Sequence, residues 1–202
     1  GLDTKTSLAV GATAITELTG TAADIKLALA SSGITTVTNS SLAVNVSGST
    51  SVADINTINS DSATGIVTAT ATETAAATLI GLTTTGTDAI TVTMAAASTA
   101  AADLNTIDGK TSVAVGATAI TELTGNATDV KTALASSGIT TVTNGSLAVT
   151  VSGSTSVADI NTINADSATG IVTATATETA AATLIGLTTT GTDAITVTMA
   201  AA

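Results

Sequence analysis

The sequence predicts a β-solenoid with short helices: a right-handed parallel β/α coil in which tandem repeats of about 105 residues are built from coils of about 24, the alternative being an all-β solenoid. Three observations lead there. A long internal repeat covers the chain, runs of alternating Thr and apolar residues recur inside it, and helix-capping signals separate those runs.

The repeat is read directly from the residues. Ser7 opens SLAVGATAITELTG and Ser112 opens SVAVGATAITELTG, an offset of 105. Laying residues 1–97 over 106–202 gives 86 identities and 11 differences. The expected organisation is a first copy, 1–97, starting in mid-repeat, a remainder, 98–105, and a second copy, 106–202, ending in mid-repeat, all in one continuous solenoid. Solenoid ends normally carry polar caps and neither end has one, so the chain reads as a window from a longer array. Leu8/Val113 and Ile25/Val130 differ but stay apolar, as core positions would. Asn45/Thr150, Ser40/Gly145 and Ser60/Ala165 exchange small or polar residues, as surface positions would.

Strands are expected at LAVNV (42–46), IVTAT (66–70), ITVTM (90–94) and SVAV (112–115), because side chains alternate between faces with period two. In ITVTM this sends Ile90, Val92 and Met94 to one face and Thr91 and Thr93 to the other. Short helices are expected between strands. In TAADIKLALASSG, Thr21 caps toward Asp24, Ile25 and Leu29 lie one turn apart, and Gly33 is the stop. SVADINTIN offers Ser51 as N-cap with Asp54 three residues on, and Val52, Ile55 and Ile58 on one face. AADLNTIDG, with Leu104, Ile107 and Gly109, repeats the pattern more weakly, and TETAAATLIG ends at Gly81. Strand and helix in alternation imply parallel strands with right-handed crossovers. Stacked at roughly 4.8 Å, about eight coils would make a rod about 40 Å long. Asn144-Gly145, between two alternating runs, is a hairpin signal, and Asn39-Ser40 fits such a turn less well.

Composition then narrows function. The chain carries a net charge of −11 and has no His, Cys, Pro or aromatic residue. There is no imidazole base, no thiolate and no soft metal site, and a Ser or Thr nucleophile would have only carboxylates or four lysines as base, so catalysis is not expected. Four cations and no ring to stack a base argue against nucleic acid, and an anionic membrane surface would repel the chain. No apolar run approaches the roughly 20 residues that span a bilayer, so no membrane insertion is expected, and GLDTKTSLAV lacks the features of a signal peptide. Leu, Ile and Val number 46 and mean hydropathy is +0.56, which favours a packed aliphatic core over disorder.

The candidate sites are acidic. Gly86-Thr87-Asp88-Ala89-Ile90 and Gly191-Thr192-Asp193-Ala194-Ile195 match the last part of a calcium-binding nonapeptide, so Asp88 and Asp193 are candidate calcium ligands, followed by Asp61 and Asp166 in DSATG. The preceding glycine pair is missing, and calcium needs six to eight oxygens. The competing reading makes Asp88, Asp61, Asp166 and Asp108 turn acids that accept backbone N–H groups. Asp24, Asp54, Asp103, Asp129 and Asp159 read as helix-capping acids. Outward Thr68, Thr70, Thr72, Thr91 and Thr93 could form a water-ordering ladder, but Ala43, Asn45 and Ala114 interrupt such ranks. The N-x-S/T triplets at Asn39, Asn45, Asn126 and Asn144 are expected by chance in so Ser/Thr-rich a chain.

AADLNTIDGKTSVAVGATAITELTG (101–125), TAADIKLALASSGI (21–34) and STSVADINTINADSATGIVTATATETAAATLIGL (154–187) resemble the repeats of giant Thr/Ala-rich bacterial cell-surface proteins, of cyanobacterial type, with β-strand-repeat or RTX-like adhesin repeats. That resemblance implies an extracellular or cell-surface protein whose repeats form a stalk, fibre or coat, often in calcium-containing medium, and it brings no catalytic residues. The expectation is a structural segment of an extracellular filament or surface layer, associating with itself end to end or laterally. Calcium and other cell-surface components are the further expected partners. The alternatives are the stalk of a large adhesin and a calcium-dependent binding module.

Overall fold

Capping pairs, Thr21 with Asp24, Ser51 with Asp54, Asn126 with Asp129 and Ser156 with Asp159, start four of the helices. The structure, a computed structural model, describes residues 2–36, 42–62, 65–141, 147–167 and 170–200. It divides into two units, one of Gly1–Thr93 with Gly109–Val113 and one of Met94–Asp108 with Ala114–Ala202. These limits cut across the sequence copies, because a short piece of each copy folds with the other unit.

In the first unit the order is β1 (Val10–Ala12), β2 (Glu17–Gly20), α1 (Ala22–Ala30), β3 (Ile34–Thr36), β4 (Ala43–Thr50), α2 (Val52–Asp61), β5 (Val67–Ala71), α3 (Ala76–Leu79) and β6 (Ala89–Thr91). Strands β2-β4-β5-β6 form one parallel sheet and β1-β3 a separate parallel pair. The second unit holds β7 (Ser98–Ala100), α4 (Ala101–Asp108), β8 (Val115–Gly116), β9 (Glu122–Gly125), α5 (Ala127–Ala135), β10 (Ile139–Thr140), β11 (Ala148–Thr155), α6 (Val157–Asp166), β12 (Val172–Ala176), α7 (Ala181–Leu184) and β13 (Ala194–Thr196). Its parallel sheets are β7-β9-β11-β12-β13 and β8-β10.

This corrects the expected solenoid, in both its β/α and its all-β form. The described residues form a mixed α/β fold with four separate parallel sheets and seven α-helices, and no closed coil. The physical reason lies in the helices. Instead of turning single corners they run up to ten residues, and they pack on one another, α1 on α2, α4 on α5 and α5 on α6, as a layer of their own beside the sheets. Apolar sheet face and apolar helix stripe then cover each other, the ordinary solution for an α/β unit.

Within the first unit the core follows from the two periodicities. Val44, Val46, Val67, Ala69 and Ile90 are buried on the sheet, and Ile25, Val52, Ile55 and Ile58 on α1 and α2. As expected, Ile90, Val92 and Met94 are buried while Thr91 and Thr93 are exposed. β2 and β9 both read ELTG, too short for an alternation signal, and become strands through parallel pairing with β4 and β11. Gly48, at φ +73°, sits where the β4–β5 register shifts between Asn45 and Ser49, and Gly153 repeats it. Gly65 is needed for space, since a Cβ there would lie 1.8 Å from the carbonyl oxygen of Leu42. The hairpin expected at Asn144-Gly145, and its weaker counterpart at Asn39-Ser40, lie outside the described residues; the strands flanking the former, β10 and β11, belong to different sheets.

Candidate functional site

Asp88 stands at the turn into β6, and its two carboxylate oxygens face in different directions. Oδ1 accepts the Val67 N–H of β5 at 2.9 Å. Oδ2 accepts the Thr85 N–H at 2.8 Å and the Thr85 hydroxyl at 3.3 Å. Its own N–H donates to the Thr85 carbonyl at 3.0 Å, closing the turn. Asp193 rebuilds this turn with Val172 at 2.9 Å, the Thr190 N–H at 2.7 Å and the Thr190 hydroxyl at 3.2 Å. Burial pushes the Asp193 carboxyl up, but the N–H groups of Val172 and Thr190 and the Thr190 hydroxyl outweigh it and hold the carboxyl below its ordinary value.

The turns therefore ask for an anion that satisfies the first N–H of the neighbouring strand and an N–H of the turn itself. Asp supplies it at the length that reaches both. Each carboxylate oxygen already accepts at least one N–H. Asp61 and Asp166 are exposed at the C-terminal ends of α2 and α6, and among the described residues no three acidic side chains gather into a metal-binding group. The candidate calcium ligands are thus found singly, Asp88 and Asp193 each in its own turn and Asp61 and Asp166 each at a helix end.

The capping acids stand where the sequence puts them. Thr21, Ser51 and Ser156 accept the N–H of Asp24, Asp54 and Asp159, and Asn126 does so for Asp129. Asp103 lies in the first turn of α4. The structure also gives two of these acids a second partner, Lys26 for Asp54 and Lys131 for Asp159, pairs that tie α1 to α2 and α5 to α6. The hydrogen bond from Lys131 holds the Asp159 carboxyl below its ordinary value; burial opposes it, and Ser156 and Thr155 add to it. Glu122 is held low as well, by the hydroxyls of Thr150 and Ser98.

Sequence reasoning missed two recurring ties and one that occurs once. Glu73 and Glu178 accept the N–H of Val52 and Val157 at 2.9 and 3.0 Å, capping α2 and α6 from the following strand segment. Asn56 donates to the Gly81 carbonyl at 2.8 Å and accepts the Thr83 N–H at 2.9 Å, and Asn161 does the same to Gly186 and Thr188. Thr111 is buried with its hydroxyl between the N–H and the carbonyl of Ile90, at 3.0 and 2.7 Å. The available signal was the separation: partners 21 to 28 residues apart, close to the spacing of the strand runs.

Outward threonines are present, but not as an unbroken rank. Thr68 lies beside Asn45 and Ala89, and Thr70 beside Ser49 and Thr91. Comparison with protein-family profiles, curated proteins and solved structures finds no match to the chain.

Proposed function

We propose that this chain is a structural repeat segment of an extracellular filament or cell-surface layer, self-associating and without catalysis. One observation carries the reading: what is repeated 105 residues apart is the set of ties, and not only the residues. Val67–Asp88 returns as Val172–Asp193, Lys26–Asp54 as Lys131–Asp159, and Val52–Glu73 as Val157–Glu178. Groups that would form a single active site are conspicuous by being used twice. Polar side chains spent in this way on backbone N–H groups are the equipment of a building unit whose neighbours are more of the same.

An acidic surface with exposed hydroxyls fits a hydrated outer layer, and repetition multiplies weak lateral contacts through avidity. The stalk of a large adhesin is the competing reading within the same class. Antibody raised against the chain tests the proposal on the cells that make it: gold label along surface filaments or a coat is the expected outcome. Label confined to the cell interior would overturn it, and label ending at a distinct tip module would favour the stalk.

A further inference from the structure

Between Thr93 and Ala114 the backbone changes unit three times, after Thr93, after Asp108 and after Val113. Met94–Asp108 folds with the second unit, Gly109–Val113 with the first, and Ala114 onward with the second again. Gly109–Val113 is therefore a strap of the first unit carried between two segments of the second.

In the first unit the strap is bonded to the turn into β6. The Thr84 hydroxyl donates to the Lys110 carbonyl at 2.8 Å, and Ser112 donates its N–H and its hydroxyl to the Asp88 carbonyl at 2.7 and 2.9 Å. Between them the Thr111 hydroxyl accepts the Ile90 N–H at 3.0 Å and donates to the Ile90 carbonyl at 2.7 Å. Thr84, Asp88, Ile90 and Thr111 are all buried, where a polar group that loses its partner costs most. Asp88 in turn holds the Val67 N–H, so the strap reaches β5 through one further bond.

Both flanks of the strap are tied within the second unit. Immediately before it, Asp108 ends α4, whose Leu104 and Ile107 are fully buried, and its Oδ2 accepts the Ser136 hydroxyl at 2.8 Å. Gly138 leaves Asp108 no room to drift, since a Cβ there would lie 2.0 Å from Oδ1. Just after the strap the Val115 N–H donates to the Gly138 carbonyl at 2.8 Å, and Val115 is fully buried. Ties to the first unit and to the second thus follow one another along residues 108–115 with no free linker between them.

Ordering a backbone segment costs entropy, and here that cost is shared. A folded second unit fixes both ends of the strap, so the first unit closes on a segment already partly ordered. The coupling is reciprocal: a strap held by Asp88 and Ile90 restrains Asp108 and Val115 equally.

We propose that Gly109–Val113 is a conformational strap through which the two units unfold together, with the buried Thr111 hydroxyl as its latch. The inference concerns how the fold opens, and it holds whether or not the chain belongs to a filament.

Amide hydrogen exchange and urea unfolding of the whole chain test this. Thr111→Val keeps the side chain's shape and removes the hydroxyl that bridges Ile90. It is expected to speed exchange roughly tenfold at Val44 and Val67 of the first unit, and by the same factor at Val115 and Val149 of the second. Asp108→Ala works from the other side and is expected to speed exchange at Val44 and Val67 as well as in its own unit. A third variant inserts about six Gly/Ser residues between Val113 and Ala114, which adds slack and removes no bonded group. The wild type is expected to unfold in a single transition and the insertion variant in two. Two transitions in the wild type would overturn the strap. So would a single transition in the insertion variant, or substitutions whose effect stays within the unit that carries the lost bond.

Discussion

Asp88 and Val67 are joined by a hydrogen bond of 2.9 Å from the Val67 N–H to Oδ1, and Asp193 and Val172 are joined by the same bond at the same distance 105 residues later. In each pair the carboxylate at one strand's start satisfies the N–H at the start of the strand beside it. Replacing Asp88 with Ala leaves the Val67 and Thr85 N–H groups without their acceptor, and an unsatisfied buried donor costs about 1–3 kcal/mol. Urea unfolding of Asp88→Ala is expected to show a loss of that size, with Asp193→Ala, in its more exposed turn, losing less.

The same turn makes stability depend on pH at the acid end. The folded Asp193 carboxyl is held low, so its contribution is complete above the unfolded value of about 3.9 and is lost as pH falls through the folded one. Asp159 and Glu122 are shifted in the same direction. Melting temperature is therefore expected to be flat from neutral pH to about pH 5 and to fall below about pH 4. Asp193→Asn should flatten part of that fall, and scanning calorimetry of the two proteins at matched ionic strength measures it.

Lys131 and Asp159 are about a third exposed, 34% and 35%. Solvent screens such a pair, and its contribution is about 0.2–1 kcal/mol. Lys131→Met should lose no more than that, and 1 M NaCl should remove most of the difference between variant and wild type. A larger loss, insensitive to salt, would mean that the lysine stem's packing between α5 and α6 matters more than its charge.

Ile58 is fully buried on α2, whereas Ile66, just before β5, is 52% exposed. Ile58→Ala is expected to cost about 2–5 kcal/mol and Ile66→Ala under about 1 kcal/mol. In a core with no aromatic residue each aliphatic carries a larger share of the burial, so Ile58→Ala is expected in the upper half of its range by chemical denaturation.

Calcium distinguishes a turn acid from a ligand. With every carboxylate oxygen of Asp88 and Asp193 accepting an N–H, the account expects melting temperatures in calcium and in EDTA to coincide. A ligand held at 100 times its Kd would add about 2.7 kcal/mol of stability, a shift no melt would miss.

Helix starts were legible because capping is local: Ser51 and Asp54 are three residues apart, and so are Thr21 and Asp24. The inward set Ile90, Val92 and Met94 was legible because strand period is local too. The layer arrangement was not, because the same alternation serves a coil that closes on itself and a sheet covered by helices; the choice is made by helix-to-helix packing, as in α5 on α6, which no short window records. Thr111 was hidden for a related reason. Nothing separates it from the chain's other threonines until Ile90 is brought beside it.

Electron cryomicroscopy of the purified 202-residue chain, frozen across a range of concentrations, tests the central claim most directly. The account predicts assemblies of many chains that grow with concentration. A field of discrete, single-chain particles at every concentration would contradict it.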